Sequence, residues 1–63
     1  MSDVAKLAHR SLTDHPDLKT PEAIADGPYG VDQFNAGDFA HGLRELKAGG
    51  RAVESFGGWS VVN

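Results

Sequence analysis

Apolar positions near the start of the chain recur at helical spacing. The pattern predicts an amphipathic helix whose buried stripe carries Val4, Leu7, Ala8, Ser11 and Leu12. Either Ser2 or Asp3 can cap the first turn of this helix through a side-chain oxygen. Because Pro16 disfavours helical backbone angles at His15, we expect the helix to stop within residues 14–17.

A second, shorter helix is predicted over residues 20–28. Thr20 is a favourable N-cap, and Pro21 suits the first helical position because its missing N–H is not needed there. Glu22 favours the positive end of the helix dipole. Gly27 and the proline after it end the segment, so we expect about two turns.

The sequence predicts a third helix from capping residues at its start and a glycine pair at its end. Asn35 is its expected N-cap, Asp38 completes a capping box, and Phe34 and Phe39 match a hydrophobic staple. A glycine pair at 49–50 offers the left-handed conformation that terminates helices. The apolar sector of this helix is expected to contain Ala36, Phe39, Leu43 and Leu46.

The chain ends in strand-forming residues around a glycine pair, which predicts a β-hairpin in two alternative registers. A two-residue turn at 57–58 would pair Phe56 with Trp59. A three-residue loop over 56–58 would instead pair Ser55 with Trp59 and leave Phe56 at the hairpin tip. We favour the three-residue loop, because a hairpin with one buried and one wet face has a well-specified register.

The favoured register assigns the hairpin side chains to two faces. It places Val53, Trp59 and Val61 together on the buried face of the hairpin. Glu54 and Ser60 would then face solvent.

The third helix and the hairpin resemble the winged helix-turn-helix family. The motif is Leu43-x-x-Leu46-x-x-x-Gly50-x-Ala52, followed by a glycine turn and an aromatic strand. The family has valine where this chain has Ala52, and the resemblance extends from Thr20 onward. It implies an α+β fold with three helices followed by a C-terminal β-hairpin, in a single winged-helix-like domain over 1–63.

The resemblance implies a small DNA-binding protein, acting as a transcriptional regulator or accessory factor. In this family the third helix enters the major groove of duplex DNA and the hairpin, or wing, contacts the backbone or minor groove. Here Arg44 and Lys47 share a helix sector with His41 beside them, and Arg51 joins them if the helix continues that far. The candidate DNA-binding residues are Asn35, His41, Arg44, Lys47, Arg51, Phe56, Gly57 and Gly58.

Charge leaves a second interpretation open. The formal net charge is -3, and residues 1–40 hold seven acidic against three basic residues, whereas residues 41–63 hold two against three. Asp38 near the start of the third helix and a wing loop without basic residues oppose DNA. In this second interpretation, the basic cluster of Arg44, Lys47 and Arg51 forms a solvated helix face that pairs weakly with Glu45 and Glu54. The alternative function is a protein-interaction module with an exposed Phe56, without DNA affinity, whose partner could be a second copy of the chain.

Other functional classes have little support in the sequence. The chain has no cysteine, and its three histidines are too scattered to suggest a metal site. No nucleophile–base pair or paired carboxylates indicate catalysis, so we expect no enzyme activity and no cofactor. No apolar run is long enough for a membrane span, and we expect a cytoplasmic protein.

Overall fold

The computed structural model describes residues 1–62 and has the expected α+β architecture. Three helices precede a C-terminal antiparallel hairpin, in a winged helix-like layout. Asn63, the last residue of the expected domain, lies outside the described residues. The elements are α1 (Asp3–Asp14), α2 (Pro21–Asp26), α3 (Ala36–Ala48), β1 (Ala52–Ser55) and β2 (Gly58–Val61).

Side-chain caps fix where the three helices begin. Ser2 is the N-cap of α1 and accepts from the Ala5 N–H at 3.2 Å, while Thr20 caps α2 in the same way. At α3, Asn35 and Asp38 form the predicted capping box through two reciprocal hydrogen bonds of 2.9 Å. The predicted helix starts are therefore confirmed, and each rests on a polar side chain that satisfies a free N–H group.

The core forms where the apolar stripes of α1 and α3 meet α2 and the hairpin. Trp59 closes it from β2 and is only 5% exposed. Ala52 of β1 is 1% exposed. The buried apolar residues are Val4, Ala5, Ala8, Leu12, Ile24, Phe39, Leu43, Leu46, Ala52 and Trp59.

The connection after α2 is tied to the end of α1. The Tyr29 hydroxyl donates a hydrogen bond to the Asp14 carboxylate, and the Tyr29 ring centroid lies 6.1 Å from that of His15. Hydrogen bonding to the Asp14 carboxylate raises the pKa of the Tyr29 phenol above its ordinary value. This contact holds the loop that leads toward α3.

Both expected hairpin registers are wrong. The strands pair Ala52 with Val61, Glu54 with Trp59 and Ser55 with Gly58, which leaves a two-residue turn at 56–57. The turn is therefore one residue earlier than the glycine pair suggested.

The corrected register also changes the hairpin faces. Glu54, and not Val53, shares a face with Trp59, since directly paired residues of an antiparallel ladder point the same way. Val53 is 47% exposed, whereas it was expected on the buried face.

The linker between α1 and α2 explains this register. The Trp59 N–H donates to the Lys19 carbonyl at 2.8 Å, so the linker lies against β2. Gly58 has φ +117°, and a Cβ there would lie 2.8 Å from the Lys19 carbonyl oxygen. Only glycine fits this close approach, so a contact remote in sequence places Gly58 in the strand and outside the turn.

Candidate nucleic-acid interface

Helix α3 presents three of the predicted contact residues on its solvent side. His41, Arg44 and Lys47 are all exposed, while Phe39 and Leu43 on the opposite side are fully buried. Because the apolar side of α3 packs into the core, the side that carries the basic residues must face solvent, as expected for an amphipathic helix. The cations are held on a regular element whose start is capped.

Both carboxylates of α3 make their hydrogen bonds with groups other than Arg44 and Lys47. Asp38 accepts the Asn35 N–H within the capping box. Glu45 accepts the backbone N–H of Ser2 at 2.7 Å and lies 3.9 Å from the amino group of Met1. These contacts to the N-terminal segment remove Glu45 from the expected weak pairing with the basic residues.

The hydrogen bond from the Ser2 N–H favours the anionic form of Glu45. The Ser2 N–H is the main reason that the pKa of Glu45 lies below its ordinary value. The Ser2 side chain lowers the pKa further and desolvation opposes it, while the charges of the N-terminal amino group and of His41 contribute smaller lowering effects. Within residues 1–62, neither Arg44 nor Lys47 forms an ion pair with an acidic side chain.

Arg51 does not share the helical face of Arg44. The expectation depended on helical geometry reaching position 51, but α3 ends at Ala48. Gly50 takes φ +74°, and the Arg51 N–H donates back to the Leu46 carbonyl at 2.8 Å. This is the Schellman arrangement, in which a left-handed glycine turns the chain away from the helix axis.

Arg51 instead lines a cleft with basic residues of α1. Lys6, His9 and Arg10 form one wall of this cleft, and Met1 also contributes to it. Sequence reasoning missed this group, although Lys6, His9 and Arg10 have the i, i+3, i+4 spacing of one helix face. No signal in the sequence indicated that Arg51 would lie beside them.

Asn35 lies apart from the basic residues of α3. Its side-chain oxygen accepts the Asp38 N–H at 2.9 Å and is thus used in capping. Asn35 also lines a groove together with Glu22, Asp26 and Asp32. An acidic groove disfavours an approaching phosphate, so Asn35 is the weakest of the predicted contact residues.

The hairpin tip combines a fully exposed aromatic residue with two glycines in different roles. Phe56 is 110% exposed, so its ring has no cover from the rest of the fold. Gly57 lies in the turn with open space around it, whereas Gly58 packs against Lys19. The backbone of Lys19 therefore lies against the wing, a contact that only the folded chain reveals.

Metal binding and membrane crossing are two further functional classes on which the described residues bear. Among residues 1–62, no three His, Cys, Asp or Glu side chains cluster closely enough to hold a metal ion. In the same part of the chain, no helix has the length and apolar character needed to cross a membrane.

Comparisons with known protein families, with curated proteins and with solved structures give no match for this chain.

Proposed function

We propose that this protein binds duplex DNA through the solvent face of α3, as a regulator or accessory factor of transcription. The observation that carries the proposal is the exposed set His41, Arg44 and Lys47, on a helix whose two carboxylates are engaged elsewhere. Arg44 and Lys47 form no ion pair with an acidic side chain within residues 1–62, which favours an anionic ligand. Phosphate is the anion that DNA repeats along its surface.

The surroundings of these cations support close approach to a duplex. Gly37 and Ala48 are exposed, and Ala40 is half-buried, so short side chains separate the basic ones. The major groove of B-DNA is wide enough to admit an α-helix. Arg44 and Lys47 would contact phosphates and position the protein, and Arg44 or His41 would reach base edges.

The test is a fluorescence-anisotropy titration with a labelled random duplex over a series of salt concentrations. Wild-type protein should bind with a dissociation constant of about 1–100 µM and lose affinity steeply with salt. Arg44→Gln and Lys47→Gln should each lower affinity and reduce the slope of log K against log salt by about 0.9.

A matched control separates phosphate contacts from net charge. Thr13→Glu changes the net charge by the same single unit at an exposed position of α1. It should leave the salt slope unchanged, because a remote charge does not release counterions at the interface. If all three variants give the wild-type slope, or wild-type protein does not bind at low salt, the proposal is wrong.

A second candidate function, a protein-interaction module without DNA affinity, is favoured by the exposure of Phe56. An aromatic ring with no intramolecular cover is typical of a residue that a partner covers. If the wing contributes to DNA binding, Phe56→Ala should weaken the duplex complex several-fold. An unchanged affinity would favour a protein partner for the hairpin tip. Either function is consistent with the cytoplasmic location expected for a cysteine-free chain.

A further inference from the structure

An apolar ridge lies on the surface between α1 and the loop that precedes α3. Val31 belongs to this ridge and is 42% exposed, although it is a large apolar residue. Phe34 beside it is half-buried and packs edge-on against Phe39, with ring centroids 6.2 Å apart. Leu7 of α1 is also only partly buried next to the core. The ridge is thus firmly anchored and incompletely covered.

Two grooves of opposite charge flank this ridge. Val31 and Phe34 line both grooves and therefore stand between them. The groove toward α2 contains three carboxylates and no cation, from Glu22, Asp26 and Asp32. The groove toward α1 contains two cations and one carboxylate, from Lys6, Arg10 and Asp3.

We infer that this surface pairs with the same surface of a second copy of the chain. A two-fold axis that runs along the Val31–Phe34 ridge exchanges the acidic and the basic side of this surface. It therefore sets the basic groove of each protomer against the acidic groove of the other, as a self-complementary dimer interface requires. A second copy supplies both the apolar cover and the complementary charge pattern, so no other partner chemistry is needed.

The two parts of the surface have different physical roles. Burial of the ridge supplies the non-directional part of the affinity. The charged grooves set the orientation, since like charges meet if one protomer is turned around. Because the grooves are open to solvent, salt should weaken the dimer without abolishing it. The inference does not depend on DNA binding, because the surface excludes His41, Arg44 and Lys47.

The test is a charge-swap experiment by sedimentation equilibrium from about 10 µM to about 1 mM protein. One variant carries Lys6→Glu and Arg10→Glu, and the other carries Asp26→Lys and Asp32→Lys. Each variant alone should bring like charges together and raise the dimer dissociation constant about tenfold or more. In an equimolar mixture the two variants become complementary again and should form a one-to-one heterodimer.

The double variant Arg44→Glu with Lys47→Glu is the control and should dimerise like wild type. If this variant dimerises normally but no longer binds DNA, the dimer surface and the DNA-binding face of α3 are distinct. If a charge-swap variant loses its helical circular dichroism, Val31→Glu replaces it, and that variant should be monomeric. A monomeric wild-type protein, a dimer that survives these substitutions, or a mixture of folded variants that stays monomeric would overturn the inference.

Discussion

Gly42 of α3 lies so close to Ala5 of α1 that a Cβ at position 42 would stand 3.0 Å from the Ala5 nitrogen. The neighbouring atoms belong to the α1 backbone, so the two helices must separate to admit a methyl group. Gly42→Ala gains about 1 kcal/mol in helix propensity. We expect the overpacking cost of about 1–3 kcal/mol to exceed this gain and lower the free energy of unfolding.

A second glycine of the same region provides the control for this prediction. Gly49 has φ -86°, and a Cβ there would meet nothing closer than 3.7 Å. Gly49→Ala should therefore stabilise the protein by about 0.4–1 kcal/mol, because it restricts only the unfolded chain. Urea denaturation measures both variants. Stabilisation by Gly42→Ala would contradict the close helix contact.

A second prediction concerns the hairpin register. Gly58→Ala should destabilise the protein by about 2–4 kcal/mol, because position 58 combines a positive φ with contact to the Lys19 backbone. Gly57→Ala should be nearly neutral, because a Cβ there would meet no atom within 4 Å. Thermal unfolding of the two variants distinguishes this register from one in which both glycines form the turn. Equal effects would argue against the observed pairing.

A third prediction concerns the buried hydroxyl of Ser11. Ser11 is 0% exposed, and within residues 1–62 its Oγ has no hydrogen-bond partner. Ser11→Ala removes this unpaired group and improves helix propensity, so the free energy of unfolding should rise by about 1 kcal/mol. Thr13→Ala on the exposed side of α1 should change it by less than about 0.5 kcal/mol. A clear loss of stability in Ser11→Ala would indicate an unrecognised partner for the hydroxyl.

A fourth prediction follows from the contact between Glu45 and Ser2. The hydrogen bond from the Ser2 N–H lowers the pKa of Glu45 in the folded protein. A carboxyl group with a lowered folded-state pKa stabilises the fold at neutral pH, and this contribution disappears as pH falls through that pKa. Glu45→Gln should therefore lower Tm relative to wild type at about pH 7, and the difference should shrink toward about pH 3.

Glu54→Gln serves as the charge-matched control for this pH series. Glu54 is an exposed strand residue without a hydrogen bond to the N-terminal segment in the described structure. Its Tm difference from wild type should remain smaller than that of Glu45→Gln at neutral pH. If the Tm difference between Glu45→Gln and wild type does not change with pH, the charged form of the Glu45 carboxylate is not what stabilises the contact with Ser2.

Local signals made the helices predictable. The caps at Ser2, Thr20 and Asn35 act on N–H groups three residues away, so short stretches of sequence contain both partners. The staple of Phe34 against Phe39 is equally local. These features, together with the apolar periodicity, specified three helices and a hairpin in the correct order.

The features that escaped prediction depend on residues distant in sequence. The hairpin register follows from Lys19 meeting Gly58, and the engagement of Glu45 follows from the position of Ser2. Arg51 likewise joins the basic residues of α1 because the chain turns after α3. Periodicity within one element cannot report such contacts, so the exposed face of α3 was predicted and its electrostatic surroundings were not.

The most direct test of DNA binding by α3 is a map of amide chemical-shift changes on titration with a short duplex. We expect shifts concentrated on the exposed side of α3, around His41, Arg44 and Lys47, with smaller shifts at the hairpin tip. These shifts should diminish as salt rises. The absence of shifts at low salt, or shifts confined to the cleft between Lys6 and Arg51, would contradict DNA binding by α3.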